Sequence, residues 1–494
     1  MIALVATALT LALAAPLTRS PLPAPAPAPT PPTAAERGAE LADRMAADLT
    51  VADALRHLKV FQAVADASDG NRAAGTPGHE RSARYAARVL ADAGLRVDFE
   101  RFTFPYREVL AERLTLLPAE AGGAEREIPV HAMSYTGDTG AEGLTAPLVH
   151  VTAHGAGGAG CAAEDFAGRR VAGRVALVER GDCTFAAKQA NAAAAGAAAV
   201  LVYNSEPGGL TGTLGDPDPA ALPTGGVSRE DGLALAAALA EGGAAAPTVR
   251  LELRELVEDR ETVNVVAETP GGDPATTLLV GAHLDSVPEG PGINDNASGA
   301  AGVLAAALAL AEAAPAGDHR HRVRFALWSA EELGLRGAEH HVAGLSPAER
   351  DAVGLYLNLD MIGSPNHGLF VYDGTARDPR SAAVTEDLAR FLGEGADTTR
   401  PTAFDDRSDY APFLAAGIPA GGTFAGGEGR KTAEEAELWG GTAGEPYDPC
   451  YHRACDTVAN VGREGLQTHT RALARAVGHY AWHLPDGPDP SDQP

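Results

Sequence analysis

The run Leu278-Leu279-Val280-Gly281-Ala282-His283-Leu284-Asp285 reads as a buried strand that ends on a histidine, with a carboxylate two residues on. A short apolar run without alternation suits a strand covered on both faces. A loop carries the chain to Gly292-Ile293-Asn294-Asp295-Asn296, and a long helix is expected over Ala297–Ala314. The pattern then recurs. Val323–Trp328 reads as a strand running through Ser329-Ala330 into Glu331-Glu332, with a helix expected from the glutamates onward. Leu355-Tyr356-Leu357 leads through Asn358-Leu359 into Asp360, and Leu369-Phe370-Val371 is a further strand. Such alternation predicts an α/β fold with a mixed, mostly parallel sheet sandwiched by helices.

Ligands of open α/β sheets bind at the carboxyl ends of the strands, so these strand exits can converge. Singly they say little, because His-x-Asp suits a turn and paired glutamates suit a helix N-terminus. Together, an imidazole and several carboxylates make a zinc-type donor set. His452, within Cys450-Tyr451-His452-Arg453-Ala454-Cys455-Asp456, is a fifth candidate, and a disulfide closing that loop would fix Tyr451 and His452. Five groups exceed the four of a tetrahedral zinc, and two metals sharing a carboxylate fit better. Of the adjacent Glu331 and Glu332, one can bind metal while its neighbour serves as base.

Upstream, Thr50–Leu95 has helical spacing (Val51, Leu55, Leu58; Tyr85, Val89, Leu90), broken by the turn-rich stretch 69–78. Residues 96–104 alternate and read as a strand. Residues 105–256 change character, with short strands at Leu148–Val151, Val175–Val178 and Val200–Tyr203, Gly-rich turns, and Ala-rich helical stretches over 185–199 and 231–241. The first pattern then resumes, so 105–256 reads as an inserted small β-rich module between a first part, 48–104, and a second, 257–484.

The 494 residues carry 39 Lys+Arg against 66 Asp+Glu, a net charge of −27. The only lysines are Lys59, Lys188 and Lys431, so polyanion and nucleic-acid binding are disfavoured. Ile2–Ala15 is an apolar run ending in small residues, expected to be a signal peptide over 1–15 although a basic start is missing. At about 14 residues it is shorter than the ~20 of a membrane span, and no membrane contact is expected of the mature form. Residues 16–47, opening on an Ala-Pro alternation, read as a linker or propeptide, and 485–494 as a disordered tail. Four cysteines permit three pairings. The two close pairs, Cys161–Cys183 and Cys450–Cys455, suggest two staples in an oxidising compartment, and the protein is expected to be secreted.

The ordered motifs Gly281–Ser286, Gly292–Gly299, Ala330–Gly334, Asn358–Gly363 and Cys450-Tyr451-His452 resemble the secreted bacterial di-zinc leucine aminopeptidases, over residues ~55–104 and ~262–484. Further matches are Asp406-Arg407-Ser408-Asp409 and Trp439–Gly444. The insertion, through Val175–Phe185, Lys188, Asn191 and Ala195-Gly196-Ala197, resembles a protease-associated (PA) domain. The resemblance implies a zinc-exopeptidase fold, two Zn²⁺ per chain, and peptide substrates with apolar, Leu-like N-terminal residues. By position, Asp295 would bridge the zincs, His283 and Asp360 would complete one site, and Glu332 and His452 the other. Glu331 would be the general base, Tyr451 an oxyanion donor, and Asp285 the partner of the ligand His283. Arg407 is a candidate for the substrate backbone, and Met361 and Phe424 for the side-chain pocket. Related enzymes can bind Ca²⁺, but no clear calcium site is visible. A monomer is expected.

Carboxypeptidases and glutaminyl cyclases share this architecture, but the Cys-Tyr-His loop and the Trp-Gly-Gly-Thr-Ala-Gly run favour an aminopeptidase. A non-catalytic binding protein should have lost ligands, and here all are present. Neither His-Glu-x-x-His nor Gly-x-Ser-x-Gly occurs, against thermolysin-like and serine chemistry. Asn296-Ala297-Ser298 matches a glycosylation acceptor but opens a helix expected to be buried. His340-His341 reads as a surface or helix-end pair.

Overall fold

Alternating side-chain direction sets the sheet: Leu278, Val280 and Ala282 point into one apolar cluster, and Leu279 between them into another on the opposite face, all fully buried. A computed structural model describes residues 32–118, 123–154, 158–215, 217–241, 246–393 and 398–485. The expected signal peptide, residues 16–31 of the expected linker, and 486–494 of the expected tail lie outside the described residues.

The strands of the first half of the chain are β1 (Arg96–Leu116), β2 (Arg126–Ile128), β3 (His131–Ala132), β4 (Leu144–His150), β5 (Val175–Glu179), β6 (Ala199–Tyr203) and β7 (Thr224–Val227). Then follow β8 (Thr248–Glu268), β9 (Asp273–His283), β10 (His321–Trp328), β11 (Val353–Leu359), β12 (Phe370–Tyr372), β13 (Arg400–Thr402) and β14 (Ala420–Phe424). Their spatial order is β13-β12-β14-β11-β9-β10-β8-β4-β5-β6-β7-β3, with β1 on β8 and β2 on β1. The centre of the peptidase portion of the sheet, β10-β9-β11-β14, is parallel. The inserted β4-β5-β6-β7 is parallel too.

One ribbon joins the two halves. β1 and β8 pair antiparallel from Arg96↔Glu268 to Leu116↔Val249, with an irregularity between Val109 and Ala111. One end of β8 pairs with β10 and the other with β4. The strand expected over 96–104 therefore continues to Leu116, because residues 105–116 find partners along β8.

Helices cover both faces. Ala297–Ala313, nearly all buried, lies under the sheet beside Val51–Asp66, Pro77–Asp92 and Arg463–Tyr480. The expected linker is corrected for its last residues: Ala34–Asp48 is a helix, capped by Thr33, with Leu41, Ala42, Met45 and Ala46 buried. It packs on Arg463–Tyr480 through glycines, and a Cβ on Gly478 would meet Ala42 N at 2.5 Å. That close approach holds an element whose composition suggested none.

The helix expected from Glu332 is also corrected: it starts at Arg336, after a turn in which Ala330 and Leu335 have positive φ (58° and 60°). The Ala-rich stretch from Phe185 stops at Ala194, since Gly196 (φ 80°) turns the chain into β6. Of the histidine pair expected at the surface, His341 is buried with its Nδ1 2.9 Å from Glu100 Oε1, and His340 stacks on Phe102. Both disulfides are formed, Cys161–Cys183 and Cys450–Cys455.

Candidate metal centre

Parallel register brings the strand exits together. Trp328 on β10 is opposite His283 on β9, and Asn358 on β11 is opposite Gly281. The residues just beyond, Glu331-Glu332 and Asp360, thus emerge beside His283. Asp295 arrives from the loop before helix Ala297–Ala313. Asn296 caps that helix, accepting from Gly299 N at 2.9 Å while its amide donates to Leu359 O at 2.9 Å. This buried Asn296 is the one that matched a glycosylation acceptor.

His283 Nε2 lies 3.3 Å from Asp295 Oδ1 and 3.5 Å from Asp360 Oδ1. His452 Nε2 lies 3.1 Å from Asp295 Oδ2 and 3.1 Å from Glu332 Oε2. Asp295 thus turns one oxygen to each of two groups, His283/Asp295/Asp360 and Asp295/Glu332/His452, within which the ligand atoms are no more than 4.8 Å apart. Glu331 Oε2 is 3.9 Å from His283 Nε2 and belongs to neither group. Asp285 Oδ1 faces His283 Nδ1 at 3.7 Å and accepts from Glu331 N at 3.3 Å.

Burial raises the carboxyl pKa of Glu331 well above its ordinary value and that of Glu332 to about 7, with neighbouring carboxylates adding to the effect. Burial opposes the charge on Asp295, but hydrogen bonds from His283 and His452 outweigh it and hold Asp295 low. Burial would lower His452, yet Glu332 and Asp295 push it up to about 11. Glu332 Oε1, Asp285 Oδ2 and both oxygens of Asp409 are buried without a hydrogen-bond partner. A buried excess of carboxylates with orphaned oxygens calls for cations, and the imidazole–carboxylate set fits zinc.

The site carries supports to which sequence reading assigns no role. Asp456 accepts from Asn294 N (2.8 Å) and Asp295 N (3.0 Å), tying the Cys450–Cys455 loop to the shared carboxylate. Ser408 donates to Asp360 Oδ2 at 2.6 Å and accepts from Asn358, which is held by Tyr356 and through it Trp328. Arg72, fully buried, donates to the carbonyls of Leu284, Pro291 and Gly292. Nothing in its turn-rich surroundings marked Arg72, whereas Ser408 and Asp409 lie inside a motif that carried the resemblance, and Asp456 ends the quoted stretch Cys450–Asp456 without a role of its own.

Around the two groups is a cavity of about 270 Å³ whose walls include Met361, Phe424, Arg407 and Tyr451. Tyr451 stacks on His452 and accepts from Arg407 Nη2 at 3.4 Å. Arg407 is exposed and pairs with Glu428 at 2.9 Å.

Three ligand groups at the exits of parallel strands, joined by Asp295 and His452 from two loops, define a metallohydrolase of the zinc-exopeptidase fold. Residues 264–477 match peptidase family M28, and residues 144–235 match the PA domain. An aminopeptidase of Pseudomonas aeruginosa is 41% identical over 448 residues, 86% of this chain and 80% of its own. Leucine aminopeptidase 2 of Trichophyton rubrum is 43% identical over 365 residues, covering 73% and 71%. The solved structure of a zinc aminopeptidase from Bacillus subtilis superposes with a TM-score of 0.64 at 28% identity, covering 87% of this chain and 94% of that one. The chain belongs to the aminopeptidases of peptidase family M28, with an inserted PA domain, and is a zinc-dependent hydrolase.

Proposed function

We propose that this protein is an exported aminopeptidase that holds two zinc ions and removes apolar, leucine-like residues from the N-termini of peptides. The observation that carries the reading is the single carboxylate of Asp295 facing two ligand groups with its two oxygens. His283 and Asp360 would hold one ion together with Asp295, and Glu332 and His452 would hold the other with it. Bound there, the ions supply Lewis acidity and a water that is nucleophilic at neutral pH. Glu331, outside both groups but beside them, takes the proton of the attacking water and returns it to the leaving amine. The Tyr451 hydroxyl, kept protonated by burial and nearby carboxylates, donates to the developing oxyanion. Asp285, whose Oδ1 faces His283 Nδ1 at 3.7 Å, would orient the ring so that Nε2 is free for a metal.

The free α-ammonium of the substrate sits against Glu331 and Asp360. Met361 and Phe424 give the first side chain an apolar wall in a cavity sized for about one residue, and Arg407 contacts the backbone. The leucine aminopeptidase from Trichophyton supports the apolar preference. A terminal carboxylate has little to meet, since Arg407 is already paired with Glu428. Two disulfides support an oxidising destination. Among the described residues no helix is long and apolar enough to cross a membrane.

The test is hydrolysis of leucyl-p-nitroanilide beside its N-acetylated analogue, before and after chelation, with zinc add-back. Cleavage of the free-amine substrate alone, lost to chelator and restored by zinc, is expected. Cleavage of neither by zinc-loaded protein would move the reading to a carboxypeptidase or cyclase.

A further inference from the structure

A cleft of about 950 Å³ lies between the inserted domain and the peptidase face. Glu332, Tyr451 and His452 line both it and the smaller cavity, so the two spaces meet at one of the two ligand groups. The small cavity holds Asp360, Met361 and Phe424, which suit the amine and the first side chain. A chain whose amine lies there leaves across the Glu332/His452 side, where the large cleft begins. One wall of the cleft is peptidase, from the loop Asp285–Glu289 to Arg453. The other is the inserted module, with Tyr106–Val109 of β1, His131 and Thr211.

Two of the cationic side chains in the cleft are matched. Arg107 pairs with Glu255, and His131 Nδ1 is 3.4 Å from Glu112. Arg453 is exposed, donates to Pro449 O at 3.2 Å, and forms no ion pair among the described residues. In a chain of net charge −27, an unpaired guanidinium one residue beyond His452 stands out.

We propose that this cleft binds the part of the peptide downstream of the scissile bond, with the inserted domain as one wall, and that Arg453 receives the carboxylate of a short leaving peptide. Consecutive Cα atoms are about 3.8 Å apart, so a di- or tripeptide places its carboxylate within reach of a side chain adjoining His452. Glu108 and Glu289 stand in the same walls, which makes Arg453 the place where an anionic end is accepted.

The inference rests on the aminopeptidase reading, and the experiment separates the two. Each variant is compared with itself on leucyl-p-nitroanilide, Leu-Gly-Gly, Leu-Gly-Gly-amide and a leucyl pentapeptide. In wild type, kcat/KM for Leu-Gly-Gly is expected to exceed that for the amide. Arg453→Gln should lower that acid-over-amide ratio about tenfold, the scale of a charge-assisted hydrogen bond. Thr211→Trp, which adds bulk to the inserted wall, should lower the pentapeptide-over-nitroanilide ratio by about tenfold. A wild type inactive on the nitroanilide would defeat the aminopeptidase reading itself. With that activity present, an unchanged ratio in Thr211→Trp would overturn the cleft, and an unchanged ratio in Arg453→Gln would overturn the role of Arg453. Should Thr211→Trp not fold, Tyr106→Ala read on the pentapeptide ratio decides the same point.

Discussion

Two parallel sheets in this molecule end in opposite ways. In the peptidase sheet β9, β10 and β11 run out into His283, Glu331-Glu332 and Asp360. In the inserted sheet β5, β6 and β7 run out into Glu179, Asn204 and Ser228. There the polar groups are satisfied locally. Arg180 donates to Asn204 Oδ1 at 3.0 Å, Asn204 to Gly209 O at 2.8 Å, and Ser228 to Asp231 Oδ2 at 2.7 Å. At the peptidase exits, carboxylate oxygens of Asp285, Glu332 and Asp409 are buried without partners. The shared topology places side chains at one edge, but only uncompensated buried charge suits that edge to a metal.

The sharpest way to break the contrast is at the base. Glu331→Gln should lower kcat by about 10²–10⁴ while zinc content by elemental analysis stays at the wild-type level. Loss of zinc instead would make Glu331 a ligand. Asp456→Asn comes next: an amide cannot accept from both Asn294 N and Asp295 N as the carboxylate does. Activity and zinc affinity should fall about 10–100-fold. No change in either would show that the Asp295 backbone needs no such anchor.

Metal removal tests the charge argument through pH. Burial raises Glu332 to about 7 in the metal-free fold, against about 4.3 in an unfolded chain. Its neutral form is therefore favoured on folding, and metal-free stability falls as pH rises from about 4.3 through about 7. Bound zinc compensates the anion, so the Tm gap between loaded and stripped protein should widen between about pH 5 and about pH 8. A gap that narrows with pH would sink the argument.

The disulfides should cross over. Cys161 and Cys183 are 22 residues apart, whereas Cys450 and Cys455 are 5 apart. The longer loop restrains the unfolded chain more, by about 3 kcal/mol against about 2 kcal/mol in the loop-entropy account. Cys161→Ser/Cys183→Ser should thus cost the more stability in thermal or denaturant melts. Cys450→Ser/Cys455→Ser should cost the more activity, since that loop carries Tyr451 and His452.

Much of this was legible beforehand. The apolar run into His283, the glutamate pair after Trp328 and the Asp after Leu359 each sit at a strand exit, and burial on both faces follows from the unbroken apolar run. The helix Ala34–Asp48 was not legible, because its partner lies more than 400 residues along the chain and their contact runs through Gly38 and Gly478. Nor was the turn at 330–335, where Ala330 and Leu335 adopt left-handed backbone that short-range propensity disfavours.

The sequence by itself determined the kinds of group and their order along the chain: which residues can bind metal, which strands are buried, and which cysteines are near neighbours. Only the tertiary structure decided that Asp295 divides its oxygens between His283 and His452, and that Asp456 and Arg72 brace the loops around it. It also placed a wall of the inserted domain across from Arg453. Such relations depend on distances between segments far apart in the chain, set by sheet register and packing rather than by local preference.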